Sequence, residues 1–126
     1  MKLHPDASNA YAIQSYSQEG VIVNGQLQTG PLLLCAVQGP KRWSASSFDT
    51  LSSLNFDELL EFQPELILFG SGERIRFPAP NLLKGLFSKG IGVETMDNGA
   101  ACRTFNVLAG EGRRVLMVLL PVARPL

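Results

Sequence analysis

The sequence predicts an α/β fold in which a central mixed, mostly parallel sheet is joined by an additional β-hairpin layer. From about residue 55 onward, short apolar runs alternate with segments of helical spacing. That alternation is typical of right-handed β–α–β crossovers. The first third instead contains β-branched runs around Asn24 and Gly25, a pair that favours a hairpin turn because both residues tolerate positive φ.

Composition restricts the classes of partner. Eleven basic and eleven acidic residues balance to zero, so no net field favours nucleic acid or an anionic membrane. Only 17% of residues are charged, which leaves room on the surface for a patch that faces a protein partner. The longest apolar run, residues 115–120, is too short for membrane insertion. We therefore expect protein partners, no nucleic acid and no membrane span.

The chain is expected to form a single domain over residues 10–121, with a loosely attached arm at residues 1–9 and a short tail at residues 122–126. The only histidine, His4, lies in that arm, which disfavours a histidine-based triad or a zinc site. No metal and no cofactor are predicted. The two cysteines make no disulfide framework, and the amino terminus lacks the apolar region of a signal peptide, so a cytoplasmic location is expected.

The β-rich first third predicts several strands in order. An apolar strand with Cys35 inside it is expected to be buried on both faces. A short strand that ends at Trp43 is expected at a sheet edge. The predicted strands cover residues 11–16, 21–23, 26–28, 32–37 and 41–43.

The remainder predicts helices between apolar strands. Asn55 is a plausible N-cap of the first helix, which Pro64 ends. A second helix after Pro80 is expected to bury a stripe at its helical spacing and to close at Gly90. The stripe consists of Leu82, Leu83, Leu86 and Phe87. Strands are predicted at residues 66–69, 92–96 and 115–120, with a helix over about 99–109.

The stretch from residue 90 to residue 108 has the character of a ligand site. It predicts a strand, a polar turn at Asp97, Asn98 and Gly99, and then a helix. Ligands gather where a strand end opens into a crevice beside unpaired helical N–H groups. Asp97 and Asn98 also suit a purely structural role as helix caps, and the sequence leaves both interpretations open.

Two side chains early in that helix are informative. The positive charge of Arg103 lies near the positive end of the helix dipole, which is unfavourable unless an anion lies nearby. That anion is either internal, from Asp97 or Glu94, or a bound carboxylate, phosphate or partner acid. Cys102 is either a packing residue at the boundary of the buried face or a thiol activated by the dipole and by Arg103. Glu94 lies on an edge strand or pairs with an arginine.

The loop Ser71, Gly72 and Glu73 follows a predicted buried strand, as phosphate-binding loops do. It lacks the third glycine of a dinucleotide fingerprint and the lysine of a P-loop. The loop is either a sharp turn or one wall of a pocket shared with the turn at Asp97.

A separate set of residues predicts anchors of a protein interface. Arg74, Arg76 and Phe77 are expected to be exposed, and Trp43 joins them or is a partly buried edge residue.

Three stretches resemble the Mth-domain family, namely residues 68–73 (Leu-Phe-Gly-Ser-Gly-Glu), 76–78 (Arg-Phe-Pro) and 90–108, which contains Met-Asp-Asn-Gly-Ala-Ala-Cys-Arg. The family includes small proteins of unknown function and a mitochondrial assembly factor of respiratory complex I. The resemblance implies a three-layer fold, with helices on one face of the sheet and β structure with a further helix on the other. No established enzymatic activity of the family carries over to this sequence.

Two functions are therefore predicted. The leading hypothesis is a non-enzymatic binding or assembly module whose partners are respiratory-complex subunits or assembly factors. The alternative is a small-molecule anion site, with or without catalysis, at the strand ends. The candidate residues for a ligand or partner are Ser71, Gly72, Glu73, Glu94, Asp97, Asn98, Cys102 and Arg103.

Overall fold

The computed structural model describes residues 11–122, so the predicted arm, with His4, and most of the predicted tail lie outside it. The strands are β1 (Ile13–Ser17), β2 (Gly20–Val23), β3 (Gln26–Gln28), β4 (Leu32–Cys35), β5 (Gly39–Arg42), β6 (Leu66–Gly70), β7 (Gly92–Met96) and β8 (Val115–Leu119). The helices are α1 (Ser53–Asp57), α2 (Lys84–Phe87) and α3 (Asn98–Gly110). Single 3₁₀ segments occupy Phe48–Thr50, Glu58–Phe62 and Pro80–Leu83.

Five strands form the central sheet, in the order β5-β4-β8-β6-β7. Strand β6 runs parallel to both β7 and β8, and β4 runs antiparallel to both β5 and β8. The predicted mixed sheet is confirmed. Its parallel part is smaller than expected, because two strands of the first third enter this sheet instead of joining the hairpin layer.

The additional β layer is a separate antiparallel sheet with the order β1-β2-β3. Its second turn contains Asn24 (φ 48°) and Gly25 (φ 85°), the left-handed pair that the sequence predicts. The amide of Asn106 on α3 holds β1, since Oδ1 accepts from Ile13 N–H (2.9 Å) and Nδ2 donates to Ile13 O (2.7 Å). This small sheet therefore shares one face of the central sheet with α3.

Side chains alternate between two cores, one on each face of the central sheet. On the first face, α3 and the small sheet cover Leu34, Leu68 and Met117. On the second face, the short helices cover a cluster in which the rings of Trp43, Phe56 and Phe69 pack edge to face. The layers thus match the arrangement implied by the resemblance.

Several local expectations were wrong. Trp43 is 1% exposed and belongs to the core, where its Nε1 donates to Asn55 O (3.1 Å). The N-cap of α1 is Ser52, and Asn55 lies in the first turn, where its Oδ1 accepts from Ser52 N–H (2.8 Å). Phe87 is 51% exposed, because α2 is a single turn and cannot bury the whole predicted stripe. The strand predicted over residues 32–37 ends at Cys35, so it is two residues shorter than expected.

Candidate functional site

A cleft of about 340 Å³ opens at the carboxyl ends of β6 and β8, beside the start of α3. The turn between β1 and β2 forms its opposite wall. The charged lining residues are Glu19, Glu73, Asp97 and Arg103, and the polar ones include Tyr16 and Asn98. Of the eight predicted candidates, five line this cleft, namely Gly72, Glu73, Asp97, Asn98 and Arg103.

The side chain of Asn98 joins the ends of the two parallel strands. Its Oδ1 accepts from Gly72 N–H (3.0 Å), and its Nδ2 donates to Leu120 O (2.7 Å). Its backbone N–H donates to Gly72 O (2.9 Å). Gly70 lies against this amide, since a Cβ at that position would collide with Asn98 Oδ1 and Leu119 Cδ2. Asn98 therefore acts as an internal clamp as well as a cleft residue.

Asp97 is the N-cap of α3. Its Oδ1 accepts from Ala100 N–H (2.8 Å), which is one of the unpaired donors at the start of a helix. The capping role of Asp97 is thus present in the structure. A negatively charged carboxylate already occupies the positive end of α3.

Arg103 extends from α3 toward the small sheet instead of toward an internal acid. Its Nη1 donates to the hydroxyl of Tyr16, and its guanidinium lies 5.9 Å from the centre of the Tyr16 ring. Within residues 11–122, neither Asp97 nor Glu94 forms an ion pair with it. The guanidinium remains exposed at the cleft.

Three predicted candidates lie away from the cleft. Ser71 is 6% exposed, and its Oγ donates to Arg74 O (2.6 Å) and accepts from Arg76 N–H (2.9 Å), so it folds its own loop. Glu94 is exposed on the edge strand β7, as one of its two predicted placements requires. Cys102 is 1% exposed and packs inside the core under α3.

Burial determines the acidity of Cys102. Desolvation raises the pKa of its thiol to about 11, and the positive charge of Arg103 lowers it only in part. Cys102 therefore lies in the packed core and not at the boundary that its helical position suggested. A thiol with this pKa and this burial suits packing and does not suit nucleophilic attack at neutral pH.

The charges around the cleft are mostly negative. Among residues 11–122, three carboxylates line it, from Glu19, Glu73 and Asp97, against one guanidinium, from Arg103. Tyr16 and Glu19 are missing from the sequence-based candidates because they belong to the hairpin layer. Gly99 is the residue that lets Tyr16 approach the helix, since a Cβ there would lie 2.8 Å from the Tyr16 ring, but this contact is visible only in the structure.

A second groove, of about 470 Å³, runs along β7 on the face of the short helices. Its lining residues are Phe77, Pro78, Pro80, Leu83, Phe87, Val93, Glu94 and Thr95. Phe77 is 74% exposed, as the sequence predicts. Arg76 has a structural role, because its guanidinium stacks 4.0 Å above the Phe48 ring and contacts Asp49 at 3.4 Å.

Two further properties concern the described part of the chain. No helix between residues 11 and 122 is long and apolar enough to cross a membrane. In the same region, no group of three or more His, Cys, Asp or Glu side chains converges in a way that would hold a metal ion.

The fold is that of the Mth938-like domains. A solution structure of a Bordetella pertussis protein described as a Mth938-like domain matches all of this chain and 96% of that one, with a TM-score of 0.80 and 24% identity. An NMR structure of a Xanthomonas campestris protein, 36% identical, matches 88% of this chain and 84% of that one with a TM-score of 0.78.

The chain belongs to the family described as Protein of unknown function (DUF498/DUF598), whose model matches residues 13–120. A Xenopus tropicalis protein named NADH dehydrogenase (ubiquinone) 1 alpha subcomplex assembly factor 3 is 36% identical over 125 residues. The match covers 95% of this chain but spans just under two thirds, 66%, of that protein's length. The predicted family membership is confirmed.

The burial of Cys102 predicts slow alkylation. In a Cys35→Ala variant at pH 8, we expect iodoacetamide to modify Cys102 at least about a hundredfold more slowly in the folded than in the unfolded protein, because a raised pKa and burial both suppress the thiolate. The rate should rise only as the pH approaches 11. Mass spectrometry of timed samples measures it. A folded-state rate near that of the unfolded chain would contradict this assignment and restore Cys102 as a candidate nucleophile.

Proposed function

We propose that this protein is a non-enzymatic binding module that assists the assembly of a respiratory complex, through contacts with its subunits or with other assembly proteins. The observation that carries the proposal is the 36% identity, across 95% of this chain, with the Xenopus tropicalis NADH dehydrogenase (ubiquinone) 1 alpha subcomplex assembly factor 3. That match covers nearly all of this chain and 66% of the relative's length, which supports a shared role for the α/β domain.

The positions of the chemically capable side chains support a non-enzymatic role. Asp97 is engaged in capping α3, and Ser71 is engaged in folding its own loop. Cys102 is buried with a raised pKa. Nucleophilic catalysis by Ser71 or Cys102 needs these groups accessible at the site, so their positions favour binding over nucleophilic catalysis. A cytoplasmic location remains part of the proposal.

Deletion of the gene tests this function. In the cell that the gene comes from, the amount of assembled NADH dehydrogenase should fall by at least half, because an assembly intermediate loses the protein that holds it. Native electrophoresis with an in-gel activity stain measures the complex, and the amount of succinate dehydrogenase serves as the control. Expression of the wild-type chain should restore the loss. Unchanged NADH dehydrogenase in the deletion strain would overturn the proposal.

One observation favours a second candidate function, a site for a small carboxylate or phosphate. Arg103 is exposed at the cleft without a carboxylate partner among the described residues. The cleft volume lies at the lower end of the range for small-molecule sites. The three carboxylates of the lining restrict such an anion to the side of the cleft beside Arg103 and Tyr16.

Titration with inorganic phosphate and with citrate tests that second candidate. Saturable NMR shifts are expected at the amides of Asn98 and Gly99, with affinity about tenfold weaker in Arg103→Gln because a charge-assisted hydrogen bond is lost. Lys89→Gln, at an exposed position away from the cleft lining, is the matched control. Equal affinity in Arg103→Gln and wild type would remove Arg103 from the site and this candidate with it.

A further inference from the structure

The two edges of the central sheet differ in how they are protected. Strand β5 carries Pro40, Lys41 and Arg42, which are the residue types that prevent a further strand from pairing with an edge. Strand β7, at the opposite edge, has no proline and one charged residue, Glu94. The β7 edge is therefore the one that can accept another strand.

The main chain of β7 presents unpaired groups along this edge. Met96 O accepts from Ser71 N–H (2.9 Å) on the β6 side. Because successive residues of a strand direct their N–H and C=O groups to opposite sides, those of Val93 and Thr95 point away from β6. Between residues 11 and 122, these two donors and two acceptors have no hydrogen-bond partner. Their spacing matches an extended main chain.

The side chains beside this edge specify what the extended chain carries. Val93 packs on the face of the short helices, so Thr95 points the same way, toward the groove lined by Phe77 and Phe87. Both phenylalanines are more than half exposed. Glu94 points to the opposite face, and within the described residues no cation pairs with it. An added strand thus meets an apolar wall on one face and a lone carboxylate on the other.

A second copy of this chain is a poor occupant. In one antiparallel register, Val93 of each copy pairs with Thr95 of the other copy. This register gives a partner to the N–H and C=O groups of both residues. That register places Glu94 directly opposite Glu94 of the other copy, in the close pair that lacks hydrogen bonds. Like charges at such a position are destabilising. A strand with a basic side chain at that point gains an attraction instead.

We propose that the β7 edge, with Phe77 and Phe87, binds an extended segment of a protein partner in which a basic residue stands between two apolar residues. The segment adds a sixth strand to the sheet, the basic side chain lies opposite Glu94, and the apolar side chains pack against the two phenylalanines. This inference rests on the proposed function, because it names the surface through which the module holds its partner.

A pair of blocked synthetic peptides tests the surface directly. Thr-Thr-Val-Lys-Val-Thr-Thr has the predicted pattern, and the same peptide with glutamate in place of lysine is its control. At millimolar concentration, the lysine peptide should shift the NMR signals of Val93 and Thr95 and slow the hydrogen exchange of their amides. The amide of Glu94, which faces β6, should be protected with and without peptide.

Matched variants separate charge from packing. Glu94→Lys should weaken the affinity for the lysine peptide by about threefold to thirtyfold, and the variant should bind the glutamate peptide more tightly than the lysine peptide. Glu111→Lys, an exposed acid at the end of α3, should leave the preference for the lysine peptide unchanged. Phe77→Ser should weaken the binding of both peptides, whereas Leu27→Ser, at a position on β3 that is also more than half exposed, should weaken the binding of neither.

Three results would overturn the inference: no effect at Val93 and Thr95, an unchanged peptide preference in Glu94→Lys, or protection of both amides by self-association of the peptide-free protein. If one of these results is found and NADH dehydrogenase is still lost in the deletion strain, the assembly role is supported but the protein performs it through a different surface. Peptide binding as described, with normal assembly in the deletion strain, would instead support the surface and reject the assembly role.

Discussion

The amide of Asn98 is the interaction on which the geometry of the strand ends depends. One side chain holds the backbone after β6 and the backbone after β8, while its own residue begins α3. These are three separate segments of chain, and the hairpin layer packs against the same end of the helix. Gly70 is required beside the amide because a Cβ at that position would collide with Asn98 and Leu119. The cleft is the space left around this junction.

The clamp also explains which candidate residues are accessible. With Asn98 and Asp97 satisfied internally, the polar groups that still face the cleft come from its rim, chiefly Arg103, Tyr16 and Glu73. The helix that begins at the clamp buries Cys102 against the sheet and directs Arg103 outward. The cleft and the groove along β7 share no lining residue and are separate surfaces.

The position of the cleft could be predicted from the sequence. Two predicted strands are followed by polar turns, at Gly72 and at Asp97, and the carboxyl ends of parallel strands lie at the same end of a sheet. Local periodicity also identified the strands and α3 to within a few residues. The contribution of Tyr16 could not be predicted, since it depends on how the hairpin layer docks against α3. The sequence allowed partial burial of Trp43 and a packing role for Cys102, but the full burial of both could not be predicted, because tertiary packing determines it and local pattern does not.

The role of the Asn98 amide is tested most directly by the free energy of unfolding of Asn98→Ala. The control is Asn81→Ala, because Asn81 is exposed in a 3₁₀ segment. Loss of the clamp leaves Gly72 N–H and Leu120 O without their partner, so a decrease of about 1–3 kcal/mol is expected by urea denaturation. NMR shifts should appear on both strand ends. A decrease no larger than that of Asn81→Ala would contradict the central role assigned to the Asn98 amide.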